Sequence, residues 1–132
     1  MDKTLVNEEA LYDDVMFRNG LSRQTLQLAE ECAELVKAAS KAFRFYDKIP
    51  LNLDDENEKK IARQFALVVR DLAEEIADVE IMISQLKRFY RISEEDIQAY
   101  KELKLMRLIE RMGVKKGGDG LPPTEKEEAI TT

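Results

Sequence analysis

Histidine is missing from this chain of 132 residues. Its absence removes the side chain whose ordinary pKa lies nearest neutrality, and with it the usual general base. It also removes the commonest protein ligand for zinc, copper and non-haem iron. The Glu-x-x-His pairs of a ferritin-like di-iron site cannot be supplied either. Chemistry here must run on carboxylates, amines, guanidiniums and hydroxyls, or on a hard cation held by oxygen ligands. Cysteine is almost as scarce. Cys32 stands alone, so no intramolecular disulfide can form, and a reducing cytoplasm is the expected compartment. A buried helix position is the expected place for that thiol. The opening residues show no secretory-leader pattern, and no apolar run is long enough to span a bilayer, so no membrane contact is expected. A formal charge of −6 argues against nucleic acid as a partner.

Glycine and proline are also few, 5 and 3, in a chain rich in Ala, Leu, Glu and Lys. That composition predicts helices, and no segment alternates as a strand would. A short first helix runs from about Asn7 to Arg18 and stops at Asn19-Gly20. Ser22 is the expected N-cap of the second, with Leu21 and Leu26 as a hydrophobic staple. That helix should reach about Phe45, followed by a loop over 47–57. Asp55 with Glu58 forms a capping box for a third helix reaching about Tyr90, long enough that a bend or break is expected. Ser93 caps a fourth, ending near Met112. The fold class is therefore all-α: an antiparallel bundle of about four helices over 1–112, completed by oligomerisation. Residues 113–132 read as a polar, disordered tail.

Two stretches nearly repeat each other, LAEECAEL at 28–35 and LAEEIADV at 72–79. Each places like charges four residues apart, which costs an isolated helix a few tenths of a kcal/mol. At about 100° per residue, Leu28, Cys32, Leu35 and Ala39 define one apolar stripe, and Leu72, Ile76, Val79 and Ile83 another. Relative to these, Glu31 and Glu75 lie roughly 60° to one side and Glu34 and Asp78 roughly 120° to the same side. Glu30 and Glu74 lie near 160°, towards solvent. If the helices pack antiparallel, Glu31, Glu34, Glu75 and Asp78 converge across one groove, with no lysine or arginine on the stripe between them. Such a cluster needs a cation, and oxygen-only ligands suit Mg2+, with Mn2+ as the alternative.

The ordered pair EECAE and EIAD resembles the EExxE…ExxD signature of the MazG-like nucleoside triphosphate pyrophosphohydrolases, over about residues 15–112. The spacing from Glu34 to Glu75 is longer than is usual in that family. The resemblance implies that Glu31, Glu34, Glu75 and Asp78 hold magnesium. It also implies hydrolysis of a (deoxy)nucleoside triphosphate to monophosphate and pyrophosphate.

Other residues are candidates around that core. Glu30 is the candidate general base. Gln24 and Gln27, one and two turns before the acids, could reach the nucleoside. Tyr100, Lys104, Arg107 and Arg111 fall within roughly a 60° arc of the fourth helix, a stripe suited to phosphate. Lys104-x-x-Arg107 resembles the basic pair that the family places near the phosphates. Lys41 and Arg44 are further phosphate candidates. Unpartnered apolar edges predict a homodimer or homotetramer. Two other readings compete. A phosphoribosyl-ATP pyrophosphohydrolase would carry a Tyr-His pair where this chain reads VEIMISQL. A helical interaction module would treat the acids as ordinary solvated surface.

Overall fold

The computed structural model describes residues 7–113, so the expected tail lies outside the described residues apart from Gly113. Within them the chain is all-α, with four helices: α1 (Glu8–Asn19), α2 (Leu21–Asp47), α3 (Asp55–Phe89) and α4 (Glu94–Arg111). No described helix is long and apolar enough to cross a membrane. The chain divides between Arg91 and Ile92 into two compact units, the first holding α1–α3 and the second α4.

The helix ends follow local chemistry. Asn7 Oδ1 accepts from the Ala10 amide, Asp54 Oδ1 from Asn57 and Ser93 Oγ from Asp96. Each side chain thereby satisfies one of the orphan N–H groups of a first turn. Acids crowd the first turns of α1, α3 and α4, and bases close the last turns, as the helix dipole favours. Two expected caps differ. Asp54, not Asp55, caps α3. Ser22 caps nothing, because α2 begins at Leu21 directly after Gly20. Gly20 has φ 82° and ψ 163°, a conformation nearly closed to residues with a Cβ, and it turns the chain from α1 into α2 with no loop. The expected break in α3 is also absent; its 35 residues form one helix. Nothing interrupts its hydrogen-bond ladder, because the segment contains no proline and no glycine.

α2 and α3 form an antiparallel hairpin joined by the loop over 48–54. The sheltered positions of α2 are Gln24, Leu28, Glu31, Leu35, Ala38, Ala42 and Phe45. Those of α3 are Val68, Leu72, Glu75, Val79, Met82, Leu86 and Phe89. Both series alternate steps of four and three, the heptad spacing of a coiled-coil seam. The apolar stripes expected from the sequence are corrected here. Cys32 and Ala39 are exposed, as are Ile76 and Ile83, while Glu31 and Glu75 occupy seam positions. The true seam is rotated towards the acids. Apolarity alone merges it with a second surface, an apolar flank on the hairpin's other side.

That flank is built by Val36, Phe43 and Tyr46 of α2 with Val69, Ile76 and Ile83 of α3, between 39% (Ile83) and 69% (Phe43) exposed. At its loop end Phe65 packs against Tyr46 and Phe45, with ring centroids 5.9 and 6.3 Å apart. At the other end Thr25 Oγ1 and the Tyr90 hydroxyl share a 2.8 Å hydrogen bond.

Where the hairpin's open end meets α1, polar bonds tie the three helices together. Gln24 Nε2 donates to Gln85 Oε1 at 2.9 Å, both residues being buried, and Asn19 Nδ2 donates to Gln24 Oε1 at 2.9 Å. Arg88 grips Asp13 of α1 with two hydrogen bonds of 2.7 and 2.8 Å, and Glu9 lies 3.6 Å away. Beside this fork Tyr12 is buried.

Candidate metal centre

Glu31 and Glu75 face each other because each takes a seam position that packing would give to a leucine. Asp78 lies one turn along α3 on the polar flank. One carboxylate oxygen from each of the three lies within 4.8 Å of the others. Glu31 and Glu75 are half-buried, whereas Asp78 is exposed. Glu34, the fourth acid expected in the cluster, is exposed and stands beside Glu75. Its carboxylate takes an ion pair from Lys37 at 3.5 Å.

The electrostatics follow from that crowding. Burial pushes the Glu75 carboxyl above the usual glutamate range, and the negative charges of Asp78, Glu34, Glu31 and Glu74 push it the same way. Gln27 Nε2 donates to Glu31 Oε1 at 2.7 Å and fixes the direction in which that carboxylate points. A turn further along, Lys41 lies 3.8 Å from Asp71, which Arg70 also approaches at 3.6 Å. A small cavity of about 220 Å3, lined by Glu34, Lys37, Lys41, Asp71, Glu74 and Glu75 among others, joins the acids to these lysines. The expectation that no base accompanies the acids is corrected: Lys37 and Lys41 sit on the same flank, though not between Glu31, Glu75 and Asp78.

The donor set fits a small hard cation. All ligands offered are oxygens, and opposite corners of a magnesium octahedron are about 4.2 Å apart at metal–oxygen distances of about 2.1 Å. Oxygens within 4.8 Å of one another come within that span by minor side-chain rotation. Three carboxylates leave further corners for water or phosphate oxygens.

The remaining candidates are placed as follows. Gln27 borders both the acids and a depression of about 470 Å3 that it shares with Ser22, Arg23, Leu26 and Glu30. Glu30 is exposed on that outer side of α2. Gln24 is 4% exposed with its amide oxygen and nitrogen both bonded to protein, so reaching a nucleoside would require breaking the α2–α3 bond. Lys41 leans on Asp71, and Arg44 is exposed near the end of α2. In the second unit Tyr100 is exposed, and Lys104, Arg107 and Arg111 line a depression of about 710 Å3 together with Glu110. Three residues escaped the sequence reading: Lys37, Asp71 and Gln85. Asp71 four residues before Glu75 and Lys37 three after Glu34 were helical-face signals that could have found the first two. Gln85 had no such signal, since only its pairing with Gln24 across 61 positions gives it meaning.

No protein family, curated protein or solved structure matches this chain.

Proposed function

We propose that the protein is a Mg2+-dependent hydrolase that cleaves a (deoxy)nucleoside triphosphate into the monophosphate and pyrophosphate. The observation that carries this reading is the convergence of Glu31, Glu75 and Asp78 from two helices on one point, with two of the acids in a seam that packing would fill with leucine. The resemblance of EECAE and EIAD to the pyrophosphohydrolase signature supplies the reaction.

Divalent cations held there would neutralise the triphosphate and acidify an attacking water. The chain's own residues do the rest. Glu31, Glu75 and Asp78 bind, Glu34 extends the site, and Gln27 orients the Glu31 carboxylate through its 2.7 Å bond. Glu30 takes the water's proton. Lys104 and Arg107, with Tyr100 and Arg111 beside them, neutralise the departing pyrophosphate. Water attacks the α phosphorus, and the bond from that phosphorus to the bridging oxygen breaks. The oxygen leaves with pyrophosphate.

The test is a panel of NTPs and dNTPs with Mg2+ or Mn2+ in ¹⁸O-labelled water. Pyrophosphate release with label in the monophosphate is expected, and loss of turnover in Glu31→Gln and Asp78→Asn. Nucleoside diphosphate with inorganic phosphate would place attack at the γ phosphorus and end this assignment. The interaction-module reading keeps one specific support, the exposed apolar flank. Melting curves indifferent to divalent ions, with no hydrolysis of any triphosphate, would favour it.

A further inference from the structure

We infer that the apolar flank of the α2–α3 hairpin is covered by the same flank of a second copy of this chain. The surface is continuous. Between Leu21 and Tyr46, α2 places Thr25, Ala29, Cys32, Val36, Ala39 and Phe43 on it, none of them charged. Small and large side chains alternate there, which lets a facing helix seat its own side chains between them. The partial exposures of Val36, Phe43, Tyr46, Ile76 and their neighbours leave on the order of 800 Å2 open, given roughly 150–250 Å2 for a whole aromatic side chain. A monomer's largest apolar patch is about 300–600 Å2, whereas about 800 Å2 is what each partner buries in a stable interface. The hairpin also has little core to spare. Val79, Met82 and Leu86 are its only buried apolar residues among those described, all towards one end of the seam.

Size selects the occupant. The flank is two helices wide, about 20 Å, and runs along an α2 of 27 residues, about 40 Å long. A single helix such as α4, with 18 residues, is about 27 Å long and about 10 Å wide, so it covers less than half. Another α2–α3 hairpin matches in length, width and heptad spacing. Two hairpins facing across this flank make a four-helix core, and the surface is self-complementary as a two-fold interface requires. The acids lie on the opposite flank, so the pairing leaves both copies of Glu31, Glu75 and Asp78 facing outward. The inference therefore stands apart from the proposed chemistry.

Cys32 lies on the flank and reports its coverage without any added label site. The experiment is sedimentation velocity on the full chain at about 10 μM, paired with the rate of maleimide labelling of Cys32. A dimer is expected, with Cys32 labelled at least about tenfold more slowly than in the urea-unfolded chain. Ile76→Glu should give a helical monomer with a fast-reacting thiol. If that variant fails to fold, dilution of the unmodified protein should instead accelerate labelling in step with dissociation. A monomer with a protected thiol would mean the chain covers its own flank, and a monomer with a reactive thiol would leave the flank to a different protein. A dimer with a fast-reacting Cys32 would place the interface elsewhere. Each of those three results overturns the inference.

Discussion

The Gln24–Gln85 bond offers the sharpest separation of a structural role from a substrate role. Gln24 is 4% exposed and Gln85 6%, and their side chains meet at 2.9 Å between α2 and α3. Gln24→Ala strands a buried amide on Gln85, a cost of about 1–3 kcal/mol, whereas the Asn19 bond is part-buried and water replaces some of it. For a domain of this size each kcal/mol moves the melting midpoint by about 4–8 °C, so the single variant should melt about 5–20 °C lower. Replacing both glutamines with leucine removes both polar groups and keeps the volume, so the double variant should recover most of that loss. Differential scanning calorimetry on the wild type, Gln24→Leu, Gln85→Leu and the double variant completes the cycle. A coupling energy below about 0.5 kcal/mol would refute the idea that the pair acts as a unit. Steady-state triphosphate hydrolysis on the double variant decides the second question. Retained activity assigns Gln24 to fixing how α2 and α3 align. Lost activity in a stable double variant would restore its role as a nucleoside contact.

Other outcomes follow from the same geometry. Mg2+ or Mn2+ at about 100 times its dissociation constant should stabilise the fold by about 2.7 kcal/mol, and Glu31→Gln or Asp78→Asn should abolish the rise seen by thermal shift. Glu75→Gln should raise the metal-free melting temperature at neutral pH: a carboxyl pushed upward favours folding below its ordinary range and loses that contribution as pH rises through the folded value. Hydrogen bonds from Arg88 hold the Asp13 carboxyl below the usual range. Its contribution is complete above the ordinary aspartate value of about 3.9 and lost as pH falls through the lower folded one. An acid titration followed by circular dichroism should thus show a shallower limb below about pH 4 in Asp13→Asn. Arg107→Ala should weaken triphosphate binding by about 1–3 kcal/mol by isothermal titration, and unchanged affinity would make the α4 arc ordinary surface.

Much of this fold was legible because its signals are local. Asn7, Ser93 and the Asn19-Gly20 stop act within one turn, and each lies where the sequence places it. The Asp54 and Ser22 discrepancies share a cause. Several residues in a row could cap, and the choice falls to whichever position the adjoining backbone leaves extended: Asp54 at φ −76° and ψ 167°, Gly20 in a conformation that Ser22 could not supply. The continuity of α3 was hidden because length alone suggested a break. The helix remains unbroken since α2 supports it along most of that length.

The acids were legible by their offsets, yet the reason they converge was not. A helical wheel built on hydrophobicity assigns the seam to the most apolar direction, here halfway between the seam and the exposed flank. Cys32 and Ile76 pull that direction one way, and the real contact, through Glu31 and Glu75, lies the other way. Only the pairing of two helices shows that polar residues occupy the seam. The departure has an energetic meaning. Leucines at 31 and 75 would complete both heptad series and stabilise the hairpin, as at Leu28, Leu35, Leu72 and Val79. Paired carboxylates in the same place repel, and the upward push on Glu75 records that repulsion. A hairpin already short of core keeps two acids where packing favours leucine. Strain held at one place in an otherwise regular element is what a built binding site costs its fold. That same shortage makes the cover over Val36, Phe43 and Ile76 necessary: the copy packed on one flank offsets the stability given up on the other.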